Sequence, residues 1–182
     1  MVALELCALR PGASRAAIVF AAPASPTAWG AAWNHVHRTA IEAAPRSGLA
    51  LARMVGMLTY RTPLEVERRF RPRVPGTHPV RGYLDHHGVK LVRRFTSRAY
   101  RALLDAIDAH DVGRERGGVG AALRPFRGRL VGVGIPGDLL YPPAEVLRWT
   151  RAAGAEYREL VSRNGHDGFL LETGAVGALL AE

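Results

Sequence analysis

An aspartate and a histidine near the end of the chain have the residue types and the setting of an acid–base pair. Asp138 follows the apolar run 130–135 through a Pro-Gly turn, and His166 follows the strand-like run 156–161 through an Asn-Gly turn. An imidazole oriented by a carboxylate can act as a general base that takes a proton from a hydroxyl group. The alternative for Asp138 is structural, because aspartate is a favoured turn residue.

A strand–helix–strand unit would position this pair. Residues 143–153 separate the two runs and begin with proline, which is favoured in the first turn of a helix. A crossover helix makes the two strands parallel, and open α/β sheets build their sites at the carboxyl ends of such strands. We therefore predict that Asp138 and His166 lie together at that edge of the sheet.

The nucleophile that such a pair would activate is not evident. In one known order of catalytic triad, a serine precedes the acid and the histidine, on a strand-to-helix turn of the form G-x-S-x-G. None of the five serines has that context, and they are Ser14, Ser25, Ser47, Ser97 and Ser162. The sequence therefore predicts an acid and a base without a nucleophile of their own.

The rest of the chain alternates between strand and helix patterns. Residues 2–9 have helical spacing and 16–22 form a short apolar run typical of a buried parallel strand. An all-helical block then follows, which between strands of an α/β sheet is an insertion, typically a lid. Its predicted helices cover 28–44, 48–60, 63–70, 80–94 and 97–109, with a loop at 71–79.

Two further segments complete the pattern. The glycine-rich stretch 112–120 lacks the Lys-Ser/Thr of a phosphate-binding loop and follows a helix, so we interpret it as the return connection of the insertion. A final helix is predicted over 168–181. Asp167 precedes it and could serve as its N-cap.

Composition limits the class of protein. The chain has 182 residues, of which 48% are hydrophobic, enough for one domain or a domain with a helical insertion. It has no apolar run of about 18 residues and no basic, apolar leader at its start. Its single cysteine, Cys7, excludes an internal disulfide framework and a cysteine-based metal site. The prediction is a cytoplasmic protein.

The charge is strongly positive. A net charge of +9 comes from 24 arginines and one lysine, Lys90, against 16 acidic residues. This balance suits an anionic small molecule or a nucleic acid. The arginines are scattered, and no aromatic-interleaved RNA motif or zinc finger accompanies them. Nucleic-acid binding is therefore the less favoured alternative.

Seven short stretches together suggest a family. In order they are MVALE with AAIVFAA, AWNHVHRTAI, GLALARMVGMLTYR with ERRF, YLDHHGVKLVRRF with SRAY, the turn at 108–114, GIPGDLLYPP, and GHDGFLLE. In these stretches the chain resembles the C-terminal part of the homoserine O-acetyltransferases, which are acyltransferases of the α/β-hydrolase fold. The resemblance implies a partial fold of about three parallel strands. It divides the chain into core at 1–27, a helical lid insertion at 28–120 and the C-terminal part of the core at 121–182.

The same resemblance implies roles for five residues. Asp138 matches the acid that orients the histidine, and His166 matches the general base. Arg53 matches the arginine that holds the homoserine carboxylate, Asp167 the acid that receives the substrate ammonium group, and Tyr60 a residue lining the tunnel. The structural alternative for Arg53 is a solvated or salt-bridged helix residue, and for Asp167 it is the helix cap.

The resemblance also implies what lies outside this chain. The family's serine elbow, roughly G-G-S-M-G-G, would come just before the helix that begins at Met1, together with earlier strands and an oxyanion-hole loop. Family members usually also carry a longer segment between 44 and 47. We therefore expect a truncated chain with negligible activity alone, and an exposed apolar edge at the strand 16–22.

The implied reaction is acetyl transfer from acetyl-CoA, as a co-substrate rather than a bound cofactor, to the homoserine hydroxyl in methionine biosynthesis. The resemblance leaves a succinyl donor or another small alcohol open. The implied partners are a second copy, through the lid helices, or a missing N-terminal half. The alternative is a non-catalytic module of a split protein that binds a partner or ligand.

Overall fold

A computed structural model describes residues 1–181 and shows helices arranged around a small sheet. The strands are β1 (Ala16–Phe20), β2 (Arg129–Gly134) and β3 (Glu156–Glu159). The helices are α1 (Val2–Leu9), α2 (Ala28–Ala43), α3 (Pro45–Thr59), α4 (Pro63–Phe70), α5 (Pro79–Val92), α6 (Ser97–Ala109), α7 (Val119–Leu123), α8 (Pro143–Ala153), α9 (Gly168–Leu171) and α10 (Thr173–Ala181). A 3₁₀ turn covers Gly165–Asp167.

The three strands form one parallel sheet in the order β1-β2-β3. Ile18 pairs with Val131, which in turn pairs with Glu156 on the other side. This arrangement confirms the predicted parallel α/β sheet. Within residues 1–181, β1 is an edge strand whose only neighbour in the sheet is β2.

The sheet is covered on both faces because side chains alternate along its strands. On one face, Leu130 packs in a cluster with Leu4 of α1 and Trp149 of α8. On the other face, Val131 and Val133 pack with side chains of the C-terminal helices. The central strand is therefore buried on both sides, as parallel sheets require.

Helices α2 to α6 occupy the connection from β1 to β2. Only Ala44 separates α2 from α3, and the two helices approach so closely that a Cβ at Gly48 would collide with the backbone of Ala40. Ile41, Leu49 and Leu91 are buried where α2, α3 and α5 meet. The division into core and lid stays a prediction.

Several predicted boundaries are wrong. The helix predicted over 48–60 begins at Pro45, and the strand-like run 156–161 is a strand only as far as Glu159. The strand at 16–22 ends at Phe20, because Ala21 has a φ of 45° and turns the chain out of the extended conformation. The predicted loop 112–120 runs into a short helix, α7, at Val119. The predicted helix 168–181 is two helices, because Glu172 leaves the helical region (φ −87°, ψ 56°) and its carboxylate accepts a hydrogen bond from Ser162.

No helix within residues 1–181 is long and apolar enough to span a membrane.

Candidate active site

Asp138 lies in the turn after β2 and is held by its own backbone neighbours. Gly137 adopts a φ of +82°, which lets the chain reverse so that the Asp138 amide donates to the carbonyl of Ile135 at 3.0 Å. One carboxylate oxygen, Oδ1, accepts from the amides of Leu140 and Tyr141 at 2.8 and 2.9 Å. The turn interpretation of Asp138 is thus correct, and it leaves the other oxygen available.

That other oxygen contacts the histidine. His166 lies in the 3₁₀ turn after β3, which Gly165 enters with a φ of +64°. Its Nδ1 is 2.8 Å from Asp138 Oδ2, and the Asp138 side chain is fully buried while that of His166 is 16% exposed. Because a carboxylate only accepts, the neutral ring carries its proton on Nδ1 and leaves Nε2 as a base. The two side chains meet as predicted, whereas their catalytic role stays a prediction.

Three aromatic rings surround His166. The ring centroids of Tyr60 and Tyr141 each lie 5.6 Å from that of His166, and the Phe169 centroid lies 5.7 Å away. The family resemblance indicates Tyr60, but it does not indicate Tyr141 or Phe169. Each lies three residues after a member of the acid–base pair, and this spacing is the signal that could have indicated them.

Asp167 forms an ion pair that the sequence did not indicate. Its Oδ2 lies 3.3 Å from Arg61 Nη2, and Arg61 also donates to Asn164 Oδ1 at 3.1 Å. The Asp167 amide donates to the carbonyl of Tyr60, which ties the histidine turn to the end of α3. The Asp167 side chain makes no capping hydrogen bond to α9. The helix-cap interpretation therefore does not account for its carboxylate.

Arg53 lies on α3 and faces the same region. Its guanidinium carbon is 5.6 Å from the centroid of the Tyr60 ring, a cation–π distance. Among residues 1–181 it forms no ion pair, so its charge is available to an anion. Burial raises the pKa of Tyr60; Arg53 opposes that shift, whereas the charge of Asp167 adds to it.

The structure thus brings all five predicted residues into one contact network. Arg53 contacts Tyr60, Tyr60 contacts His166 and Asp167, and His166 contacts Asp138. In the described part of the chain no serine is hydrogen-bonded to His166. The same residues hold no cluster of three or more histidine, cysteine or acidic side chains that could bind a metal ion.

Comparisons with known proteins identify relatives of this chain. No family model matches the chain. The homoserine O-acetyltransferase of Thermus thermophilus is 44% identical over 191 residues, covering 99% of this chain and 49% of the relative. That of Clavibacter michiganensis is 41% identical over 211 residues, covering 100% of this chain and 54% of the relative. The chain spans about half the length of the curated relatives it matches.

Two solved structures have a fold similar to that of this chain. A homoserine O-acetyltransferase from Staphylococcus aureus superposes with a TM-score of 0.81 at 30% identity, covering 97% of this chain and 53% of that one. Esterase E22 superposes with a TM-score of 0.83 at 16% identity, covering 98% of this chain and 56% of the esterase. The second likeness concerns the fold alone. Together these structures confirm the partial α/β-hydrolase fold.

Proposed function

This chain belongs to the homoserine O-acetyltransferase family over about half the length of its curated members, and we propose that it supplies the acid and base of acetyl transfer from acetyl-CoA to the homoserine hydroxyl. The observation that carries the proposal is the 2.8 Å contact between Asp138 and His166 at the carboxyl edge of the sheet. The nucleophilic serine would come from outside these 182 residues.

In the proposed reaction, His166 moves one proton in each half. Its Nε2 takes the proton of the serine hydroxyl as the oxygen attacks the thioester carbonyl, and gives that proton to the departing CoA thiolate. The homoserine hydroxyl then attacks the acetyl-serine, and its proton passes through Nε2 to the serine oxygen. Asp138 holds the imidazole in the required tautomer and stabilises the imidazolium.

The substrate would lie along the contact network. Arg53 would hold the homoserine carboxylate by charge-assisted hydrogen bonds, and Tyr60 would line the approach to His166. Asp167 would receive the ammonium group. Because Asp167 already pairs with Arg61 at 3.3 Å, substrate binding would have to share or displace that ion pair.

The missing nucleophile favours a second candidate function for the isolated chain. Since no serine among residues 1–181 is hydrogen-bonded to His166, the chain alone would be a partner or ligand-binding module. We propose that its activity is negligible until another polypeptide segment, in the same chain or a separate one, supplies the serine. Loss of a triad nucleophile typically removes about 10⁶ of the rate.

A chimera tests the proposal. In it, this chain replaces the matched half of the Thermus thermophilus enzyme, and CoA release is measured with acetyl-CoA and homoserine. We expect homoserine-dependent CoA release from the chimera and none above background from the chain alone. A folded chimera without activity beside an active parent enzyme would contradict the proposal, and rapid CoA release by the chain alone would contradict the external serine.

A further inference from the structure

The turn that carries His166 packs against the chain just after α3. The amide of Asp167 donates to the carbonyl of Tyr60 at 3.1 Å. A Cβ added at Gly165 would lie only 3.2 Å from the amide nitrogen of Thr62, so the two backbones are in close contact. The position of the imidazole therefore depends on contacts from outside its own turn.

The side chain of Asn164 joins this contact to the C-terminal helices. Its Oδ1 accepts a hydrogen bond from Nη1 of Arg61 at 3.1 Å, and its Nδ2 donates to Oε1 of Glu172 at 3.0 Å. The Ser162 hydroxyl closes the network, since it accepts from the Asn164 backbone amide at 3.0 Å and donates to the same glutamate oxygen at 2.8 Å. Asn164 thus links the chain after α3 to the connection between α9 and α10.

The residue types suit these places. A guanidinium only donates hydrogen bonds and a carboxylate only accepts them, whereas an amide does both without carrying a charge. Asn164 can therefore satisfy a cation on one side and an anion on the other. Hydrogen bonds to charged groups are shorter and stronger than those between neutral groups. The Arg61 side chain is 13% exposed, and Asn164 and Glu172 are half-buried, so water competes with this network only in part.

His166 and its acid lie on separate turns, so their contact requires both turns to be fixed. The amides of Leu140 and Tyr141 fix Asp138 after β2. Asp138 Oδ2 lies 2.8 Å from His166 Nδ1, and a hydrogen bond of this kind weakens beyond about 3.2 Å. Asn164 precedes His166 by two residues, so a small displacement of its turn would separate the acid from the base.

We propose that Asn164 is a positioning residue for His166. Its side-chain amide is held between Arg61 and Glu172 and fixes the backbone of the histidine turn. This keeps Nδ1 of the imidazole within reach of Asp138. The effect on the reaction rate rests on the proposed function, because it requires His166 to be the base of acyl transfer. The effect on the histidine ring requires only the contact with Asp138.

The position of the proton on the His166 ring tests the proposal in the chain itself. The ring ¹⁵N resonances of the histidine-labelled chain report the tautomer at about pH 8.5, where imidazoles are generally neutral, and His166→Asn identifies them by their loss. We expect the proton on Nδ1 in the wild-type chain and a mixture of the two tautomers in Asn164→Ala. An Asn164→Ala chain whose proton stays on Nδ1 would overturn the proposal.

Val146→Ala is the control for lost stability. Val146 is fully buried in the cluster of Leu4 and Trp149, on the opposite face of the sheet from Phe169 of α9. The cavity left by this substitution should lower the melting temperature. The proton of His166 should stay on Nδ1 in this variant, which separates a positioning role from a general loss of stability.

An exchange of charge gives a second test that does not depend on the folding of Asn164→Ala. Asn164→Asp keeps an acceptor for Arg61, but it places a carboxylate where the amide nitrogen lies 3.0 Å from the carboxylate of Glu172. We expect both tautomers of His166 in this variant. Adding Glu172→Gln removes the repulsion and restores a donor, so the proton should return to Nδ1. A wild-type tautomer in Asn164→Asp, or no return in the double variant, would overturn the proposal.

The rate of CoA release by the chimera separates this proposal from the proposed function. Asn164→Ala should lower kcat by about tenfold or more, since a positioned base contributes on the order of 10²–10⁴ to a rate. Val146→Ala should retain kcat. An inactive unsubstituted chimera would contradict the proposed function, and the tautomer would then decide the role of Asn164. An active chimera whose kcat is unchanged by Asn164→Ala would overturn the positioning role.

Discussion

At the scale of single residues, Asp138 divides its two carboxylate oxygens between two tasks. Oδ1 holds the turn through two backbone amides, and Oδ2 orients His166. Residue type and spacing predicted this pair, because turn signals placed both residues after strands. The Arg61–Asp167 ion pair was not predicted, because its partners lie far apart in the chain and meet only when α3 packs beside the histidine turn.

The proposed role of Arg53 predicts a specific kinetic defect. In the chimera, Arg53→Gln should raise the KM for homoserine by about tenfold or more, because it removes a charge-assisted pairing with the carboxylate. The KM for acetyl-CoA should change little. Arg46→Gln, an exposed arginine on the same helix, is the control. An unchanged homoserine KM in Arg53→Gln would refute carboxylate binding by this residue.

His37 predicts how stability depends on pH. Its folded-state pKa of about 4 lies below the ordinary histidine value of 6.5, since burial disfavours the charged ring. The neutral ring therefore supports folding fully above about pH 6.5, and that support is lost as the pH falls toward 4. A lowering of the pKa from 6.5 to about 4 corresponds to at most about 3 kcal/mol of unfolding free energy.

Urea unfolding of the wild-type chain and His37→Gln at about pH 7 and about pH 4.5 measures this contribution. We expect the wild-type chain to lose more stability than the variant between the two pH values. Burial also lowers the pKa of His87 and His110, so only the difference between the two proteins is informative. His35→Gln should behave like the wild type. If His37→Gln loses as much stability as the wild type between the two pH values, the prediction is refuted.

At the scale of elements, α2 and α3 approach each other closely in the helical insertion. Helical spacing predicted both helices within a few residues. The sequence pattern did not predict how α2 packs against α3, because this packing depends on Gly48 lying against the backbone of Ala40. A glycine inside a helix normally costs about 1 kcal/mol relative to alanine, so its presence here has a packing reason.

Substitution of glycines by alanine separates packing from helix propensity. Gly48→Ala should lower the melting temperature by several degrees, because its Cβ would collide with Ala40 and force α2 and α3 apart. Gly82→Ala in α5 has open space around its Cβ and should leave stability unchanged or raise it. Thermal unfolding followed by circular dichroism compares the two. A stabilised Gly48→Ala would show that α2 and α3 do not pack as described.

At the scale of the whole molecule, the sheet has an open edge within residues 1–181. β1 is paired on one side only within residues 1–181, and the adjoining helix α1 exposes Val2 at 84% and Leu9 at 65%. The run of apolar residues predicted a strand here, and the family resemblance predicted its open edge. An exposed edge with apolar neighbours favours association.

We therefore expect the isolated chain to self-associate as its concentration rises in sedimentation velocity. Replacing Val2 and Leu9 together by lysine should shift the distribution toward the monomer. Leu64→Lys changes a similarly exposed leucine (76%) on α4 and should have no such effect. A wild-type chain that stays monomeric at all concentrations would contradict this expectation.

The most direct test of the acid–base assignment is the rate of CoA release by the chimera carrying His166→Asn. Asparagine removes the base without adding a charge, so the rate should fall by about 10³ or more. His86→Asn, an exposed histidine on α5, should retain full activity. A His166→Asn chimera that keeps a rate close to that of the unsubstituted chimera would contradict the assignment of His166 as the general base.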